Sequence, residues 1–263
     1  MTVINSCEPL DLSAIGLVVQ EALKTPYDLN SSIPVPTILE NKRVALVPFV
    51  PSIHAEPFFE EFHKSSSVLS AYLPVKMGDT LNEFIVLIEI GFRRQQENNL
   101  FAIIDKTKLS VTNNNQPNGR IAGIIGWVHG SLRNLALEIG PVIILPEFQG
   151  TFVSANSIGL LLKYALDLPS QDGLGFRRVA WGADPRNEKS IATAEKMGFK
   201  KEGTLRWLWV MPEGREGKKL STERETVKGN GKADGRDTVL LSICWDDWDG
   251  GVREFVEAKM TQK

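Results

Sequence analysis

The sequence has few of the residues that cross-link a chain or bind a metal ion. Its 263 residues include three histidines and two cysteines, Cys7 near the start and Cys244 near the end. Two such distant cysteines make neither a disulfide framework nor a metal-ligand spacing, and both absences fit a reducing compartment. The sequence therefore predicts a cytoplasmic protein without a bound metal.

Strong charge and long apolar runs are also absent. The formal net charge is −2, with acidic and basic residues interleaved, which argues against a nucleic-acid footprint or a polybasic membrane anchor. The stretch 142–162 is interrupted by Pro146, Glu147, Gln149 and Asn156, whereas a membrane span needs roughly 20 apolar residues. We therefore expect no nucleic-acid partner and no membrane partner.

Composition divides the chain into regions. Residues 1–42 contain a predicted apolar helix over 10–23 and then three prolines that favour an extended path, so they are interpreted as an N-terminal extension. Residues 43–263 form the predicted domain. Within it, residues 212–235 are rich in glycine and charge and almost free of apolar side chains. That composition predicts a mobile insertion.

Hydrophobic periodicity predicts an α/β (α+β) domain. The order is strand, two helices, three strands, helix, strand, helix, strand, long loop and strand, followed by a terminal helix. The predicted strands cover 44–49, 100–104, 121–129, 135–145, 178–183, 204–210 and 237–245, and the predicted helices cover 52–69, 80–96, 154–168, 187–197 and 249–260.

One junction in this order indicates an anion site. The apolar strand ending at 145 leads through a short turn into a helix expected to begin at 154–156. The first backbone N–H groups of a helix have no partner within it, and the helix dipole favours negative charge there. A phosphorylated partner is therefore expected at this helix start.

The motifs resemble those of the GNAT superfamily of acyl-CoA-dependent N-acyltransferases, specifically its RimJ/RimL-like branch and a group of fungal members of that branch. The resemblance covers about residues 43–250. It implies a mixed, mostly antiparallel central sheet, splayed at its middle and flanked by helices, and it implies acetyl-CoA as cosubstrate. The motifs are Phe101-Ala-Ile-Ile-Asp-Lys106, Ile121-Ala-Gly-Ile-Ile-Gly126, Glu138-Ile-Gly140, Pro146-Glu-Phe-Gln-Gly150, Arg178-Val-Ala-Trp181, Asn187-x-x-Ser190, Gly198-Phe-x-x-Glu-Gly203, Leu205-Arg206, Arg236-Asp-Thr238 and Trp245-x-x-Trp248.

The resemblance assigns residues to the CoA site. The pantetheine arm is expected to fill the splay and to pair with Val142, Ile143 and Ile144. The pyrophosphate is expected on the backbone amides of the cradle, which consists of Gly150, Thr151, Phe152, Val153, Ser154 and Ala155. The superfamily pattern is Gln or Arg, two residues, Gly, one residue, then Gly or Ala, so Phe152 and Ser154 stand where small residues are usual. The Phe152 side chain could weaken or block phosphate binding.

The same resemblance gives candidate catalytic residues. Glu138 is the candidate base, acting through water, and the alternative is a solvated strand-end carboxylate. His129 is a rival base or a structural histidine. Ser190 matches a serine proposed to protonate or bind the CoA sulfur, and Asn187 a contact to the pantetheine. Both could instead be local helix caps.

The sequence leaves open which residues protonate the thiolate and which line the acceptor pocket. The tyrosine that protonates the thiolate in many GNAT enzymes is replaced by Ala194. Trp207 and Trp209 lie one residue apart on a predicted strand and could line an acceptor pocket or the sheet core. The insertion 212–235 could be a lid or a solvated loop. The resemblance implies that the helix starting at Thr80 and the segment 65–74 form the opposite wall.

The sequence therefore predicts an acetyl-CoA-dependent N-acetyltransferase. The acceptor is expected to be a primary amine of a small molecule or of a polypeptide N-terminus, and the protein a monomer or homodimer. The alternatives are a non-catalytic acyl-CoA-binding or regulatory module, and a fold in which Phe152 excludes CoA altogether.

Overall fold

The computed structural model of the chain describes residues 15–109, 118–223 and 233–262. Residues 1–14, including Cys7, and 224–232, which belong to the predicted insertion, lie outside the described residues.

The described residues form one mixed, mostly antiparallel sheet of eight strands, as predicted. The strand order across it is β1-β2-β3-β4-β5-β6-β8-β7, and the only parallel neighbours among these strands are β5 and β6. The strands are β1 (Leu39–Glu40), β2 (Val44–Pro48), β3 (Asn99–Asp105), β4 (Arg120–Ser131), β5 (Ala136–Ile144), β6 (Arg178–Ala183), β7 (Lys200–Val210) and β8 (Gly235–Cys244).

Helices cover the sheet in the predicted order. They are α1 (Ile15–Ala22), α2 (Pro51–His63), α3 (Ser66–Leu69), α4 (Leu81–Ile88), α5 (Phe152–Leu166), α6 (Glu188–Lys196), α7 (Trp245–Asp247) and α8 (Arg253–Thr261), with π-helical turns at Glu89–Arg93 and Trp248–Val252. The helix predicted over 52–69 is in fact two, α2 and α3. The short edge strand β1 was not predicted.

The start of α5 was predicted two residues too late. The helix begins at Phe152, because the Thr151 side chain caps it by accepting a hydrogen bond from the Val153 N–H. The apolar pattern alone marks where the helix becomes amphipathic, not where its cap lies. The correction puts Phe152 in the first turn of the helix instead of in the loop before it.

The N-terminal residues that the structure describes pack on the domain. Ile33 is buried in the main core, and the Asn30 side-chain amide donates to the Arg93 carbonyl at 2.7 Å. Strand β1 pairs with β2. The boundary at residue 42 stays a prediction, but residues on its N-terminal side take part in the fold.

The predicted splay lies between β5 and β6. The two strands pair only where Ala136, Leu137 and Glu138 lie opposite residues 178–180. Beyond that point β5 runs on to Ile144 and β6 to Ala183 without pairing with each other, and β6 keeps its pairing with β8 on the opposite edge. The result is a gap in the middle of the sheet, open at the carboxyl ends of two parallel strands.

No helix in the described part of the chain is long and apolar enough to cross a membrane.

Candidate active site

The helix start beside the gap has the features of an anion cradle. Helix α5 follows the unpaired part of β5 and carries no acidic residue in its first turn, so its positive end is not neutralised locally. Gly150, just before the cap, has φ +71°, a conformation that glycine adopts without strain. The Thr151 hydroxyl also donates to the Phe148 carbonyl at 2.7 Å, which holds the turn in place.

The Phe152 ring lies along the flank of α5. The Arg43 guanidinium sits over it, 4.4 Å from the ring centroid, and Arg43 in turn donates to the carbonyls of Met260 and Gln262 at the end of α8. The ring is part of the apolar packing against the core. Its contacts are with the α8 side of the helix.

The two rival bases of the sequence analysis are neighbours. The Glu138 carboxylate lies beside the His129 ring, with Oε2 3.4 Å from Nδ1. This hydrogen bond raises the pKa of His129, against the smaller opposing effect of burial. The other carboxylate oxygen of Glu138 lies over Gly182, where an added Cβ would be 2.7 Å from it. Glycine at position 182 therefore makes room for the carboxylate at the narrow end of the gap.

Ser190 and Asn187 lie at the start of α6, which follows β6. The Asn187 side-chain oxygen accepts from the Ser190 backbone N–H at 3.1 Å, so Asn187 is the helix cap. Ser190 is held by a different contact, since the Trp181 indole N–H donates to its hydroxyl oxygen at 3.0 Å. The Ser190 hydroxyl hydrogen is not used in that bond. Ala194, at the position of the usual tyrosine, is buried and carries no proton donor.

These candidates lie on opposite faces of the sheet. Glu138 is in register with Ala180, and neighbouring residues along a strand point to opposite faces. Trp181, which contacts Ser190, therefore points away from the Glu138 face. The gap between β5 and β6 connects the two faces.

Two arginines join the loops that follow β6 and β7 to neighbouring segments. Arg215 donates to the carbonyls of Leu73 and Val75, at 2.6 and 2.9 Å, and so joins the loop after β7 to the segment before α4. Arg186 donates to the Glu216 carbonyl at 3.0 Å. A cavity of about 730 Å³ lies beside this junction, lined by Pro74, 210–216, Lys219, Ala233 and Asp234.

The predicted insertion is only partly described. Lys218 is bridged to Gly235 by two backbone hydrogen bonds, and Asp234 accepts from the Gly217 N–H and the Lys219 side chain. Residues 217–219 are thus tied to 234–235, and Arg215 ties the same loop to the segment before α4. The mobility of 212–235 stays a prediction.

The tryptophan pair does not have the simple alternation that was predicted. The register of β7 shifts between Leu205 and Trp209, and Trp207 has φ +55°. Trp207 and Trp209 are 45% and 37% exposed, so neither belongs to the sheet core. The Trp207 ring lies over Gly235, with Lys218 Nζ 4.8 Å from its centroid.

One group of close potential metal ligands exists within 15–109, 118–223 and 233–262. It consists of Cys244, Asp246 and Asp247. The Asp247 carboxylate already binds Lys200 and the Cys244 backbone N–H. The group lies at the carboxyl end of β8, where β5 and β6 are still paired, and it is not part of the gap.

Four residues of β6 and of the loops after β6 and β7 were not predicted from the sequence. They are Gly182, Asp184, Arg186 and Arg215. Asp184-Pro-Arg186 follows β6 directly, and a short acid-x-Arg sequence after a parallel strand could have marked Asp184 and Arg186. Nothing in the sequence indicates that Arg215 reaches across to residues 73–75.

Similarity to known proteins identifies the family of this chain. The family model described as "Acetyltransferase (GNAT) domain" matches residues 43–200, which is more than half of the chain. No curated protein matches the chain.

Solved structures show the same fold at low sequence identity. A GCN5-related N-acetyltransferase from Brucella melitensis has a TM-score of 0.67 at 22% identity, covering 87% of each chain. Mycobacterium smegmatis RimJ in complex with CoA-disulfide has a TM-score of 0.59 at 16% identity, covering 82% of this chain and 88% of RimJ. The Salmonella typhimurium acetyl transferase that modifies the N-terminal serine of ribosomal protein L7/L12 has a TM-score of 0.57 at 17% identity, covering 79% and 98%.

The chain therefore belongs to the GNAT acetyltransferase family. Its eight-strand sheet with flanking helices matches the fold of these acetyltransferases.

Proposed function

We propose that this protein transfers an acetyl group from acetyl-CoA to a primary amine, by direct attack of the amine on the thioester within the gap between β5 and β6. The observation that supports this best is the gap itself, with unpaired strand edges on both sides and the α5 start at its open end. The pantetheine arm would lie along Val142, Ile143 and Ile144. The pyrophosphate would accept hydrogen bonds from the first turn of α5, from Gly150 to Ala155.

The packing of Phe152 supports an open cradle. Its ring is held against Arg43 on the α8 side of the helix, and a helix start presents its N–H groups along the helix axis. The backbone donors can therefore meet a phosphate without displacement of the ring.

The two faces of the sheet would then hold the two substrates. Glu138 accepts a proton from the attacking ammonium on one face, directly or through water, and hands it on toward solvent. The thiolate leaves on the other face, where the Ser190 hydroxyl donates to the sulfur while its oxygen accepts from Trp181. The hydrogen bond from Ser190 stabilises the negative charge on the leaving sulfur. The thiolate takes up, through solvent, the second proton that the nitrogen loses as the amide forms, so Ser190 keeps its own proton.

A non-catalytic acyl-CoA-binding module is the second candidate. The absence of a hydroxyl at Ala194 favours it, since the usual acid is missing. The acceptor could be a small molecule or a polypeptide N-terminus, the latter being the substrate of the Salmonella relative. A cytoplasmic location, and a monomeric or homodimeric state, stay predictions.

Release of CoA thiol from acetyl-CoA in the presence of a panel of amines tests the proposal, with mass spectrometry to detect the acetylated product. The enzyme gives product with at least one amine, and Glu138→Gln loses most of that rate while it still binds CoA. Binding of acetyl-CoA without product from any amine would favour the module.

A further inference from the structure

Two buried side-chain atoms on β8, Arg236 Nε and the hydroxyl oxygen of Thr238, have no hydrogen-bond partner among the residues that the structure describes. Arg236 is 7% exposed, and its Nε finds no acceptor among the described residues. The hydroxyl oxygen of Thr238, also buried, is likewise unpaired within those residues. Buried polar groups in native proteins are nearly always hydrogen-bonded, because leaving them unpaired costs free energy. Both side chains therefore point to a molecule that brings oxygen atoms to them.

The nearby Asp184 does not supply the hydrogen-bond acceptor that Arg236 Nε lacks. Its carboxylate already accepts from Arg186 Nε and Nη2, at 2.9 and 2.7 Å, and from the Arg186 backbone N–H. The distance from Arg236 Nε to Asp184 Oδ2 is 3.7 Å, too long for a hydrogen bond. One carboxylate thus serves two arginines. Arginine stays charged even though burial lowers the pKa of Arg236, and its Nε–H is left without an acceptor among the described residues, so a donor is left for a ligand.

The unpaired groups lie in line with the candidate base. A Cβ atom added to Gly182 would lie 3.3 Å from Thr238 Cγ2 and 2.7 Å from Glu138 Oε1. Both side chains therefore border Gly182. Arg236 is two residues from Thr238 on the same face of β8. Arg236 follows Gly235 and Asp234, and Asp234 lines the cavity. A row of groups therefore leads from the cavity along β8 to Glu138.

We propose that Arg236 and Thr238 bind a carboxylate of the acyl acceptor, which makes the acceptor an amine that also carries a carboxylate, as a free amino acid does. This inference rests on the proposed acetyl transfer. A carboxylate can accept from a guanidinium N–H and a hydroxyl at once. Its amino group, a short distance away, would then face Glu138. Polyamines and simple alkylamines offer no acceptor atoms to this pair.

Calorimetric titration of the protein–CoA complex with N-acetyl-amino acids tests the carboxylate site without requiring turnover. The matched probes are the N-acetyl-amino acid amides, in which an uncharged amide group replaces the carboxylate. We expect at least one acid to bind, and to bind about 10- to 100-fold more tightly than its amide, the range expected when a charged hydrogen bond is lost. Arg236→Met and Thr238→Val should each weaken binding of the acid, and Arg236→Met should abolish the preference for it.

Two controls separate this role from folding and from CoA binding. Arg178→Met removes an arginine on the neighbouring strand that Glu202 holds at 2.5 and 2.6 Å, and it should leave the preference unchanged. A melting curve of the free Arg236→Met protein should show that it still folds, because Asp184 keeps its hydrogen bonds to Arg186. Arg236→Met should leave the affinity for desulfo-CoA unchanged.

The outcomes distinguish the inference from the proposed function. If no acid binds, if acid and amide bind equally well, or if Arg236→Met weakens desulfo-CoA binding instead, the carboxylate site is wrong. If an acid binds with the expected preference but no free amino acid or other amine is acetylated, the carboxylate site stands and the enzymatic proposal fails.

Discussion

Glu138 and His129 face each other at the narrow end of the gap, with Glu138 Oε2 3.4 Å from His129 Nδ1. Each was a separate candidate base in the sequence, yet in the structure they form one pair. A proton taken up by His129 places a positive charge next to the candidate base. The two residues therefore have to be tested together.

The first prediction concerns the titration of this pair. The hydrogen bond to Glu138 raises the pKa of His129 above its ordinary value of 6.5. The ion pair therefore stabilises the fold fully below about pH 6.5, and this stabilisation is lost as pH rises through the raised pKa. Glu138→Gln should bring the His129 pKa down. An NMR titration can follow this directly, since the chain has only three histidines. An unchanged His129 pKa in Glu138→Gln would contradict the pairing.

The second prediction assigns the roles within the pair. Glu138→Gln should lower kcat by about 10²- to 10⁴-fold, the usual contribution of a general base, with the CoA dissociation constant unchanged. His129→Gln should have a smaller effect, because its 60% exposed side chain supports the carboxylate from the solvent side. Steady-state kinetics on both variants tests this. A larger loss in His129→Gln than in Glu138→Gln would make His129 the base.

The third prediction concerns the space over Gly182. A methyl group there would lie 2.7 Å from Glu138 Oε1, so Gly182→Ala should push the carboxylate aside and lower kcat about tenfold or more, as expected for a misplaced catalytic group. CoA binding should be retained. Gly203→Ala is the control, since nothing lies within 4 Å of an added Cβ at that position. Equal turnover in Gly182→Ala and the control would show that the carboxylate position is unimportant.

The fourth prediction separates a helix cap from a catalytic hydroxyl. Asn187→Ala removes the cap of α6 and should lower the free energy of unfolding by about 1 kcal/mol. Ser190→Ala keeps that cap, because the cap uses the Ser190 backbone N–H, but it removes the hydroxyl. It should lower kcat by more than Asn187→Ala does. Turnover and melting temperature measured on both variants decide the matter, and a larger kcat loss in Asn187→Ala would remove Ser190 from the mechanism.

Much of this fold could be predicted from the sequence, because local signals agree with the tertiary structure. Strand β6 lies at 178–183, as periodicity predicted. The order of elements is also as predicted, apart from the short strand β1 and the division of the helix predicted over 52–69 into α2 and α3. The start of α5 was misjudged because Thr151 acts as a cap through its side chain. The irregular part of β7 was also unpredictable, since the register shift near Trp207 depends on its pairing with β8.

The site was only partly predictable, for a physical reason. Motif spacing gave Glu138, Ser190 and the α5 start as candidates, because these are local features, and their roles stay predictions. The contact between Glu138 and His129, and the burial of Arg236 beside Asp184, depend on strands that meet only in the folded sheet. A sequence pattern cannot show which polar groups are left without partners after folding.

The measurement that tests the central claim most directly is the affinity for desulfo-CoA in Ser154→Glu and Ser154→Gln, compared with the unchanged protein. A glutamate in the first turn of α5 favours the helix through its dipole, so the fold should not suffer, but its charge repels a pyrophosphate on the backbone amides. We expect micromolar binding in the unchanged protein, nearly the same affinity in Ser154→Gln, and at least about tenfold weaker binding in Ser154→Glu, since one unfavourable charge contact costs on the order of 1.4 kcal/mol or more. Equal binding in all three proteins would show that the phosphates do not bind at the start of α5. Absence of binding by the unchanged protein at millimolar ligand would contradict the acetyl-CoA site altogether.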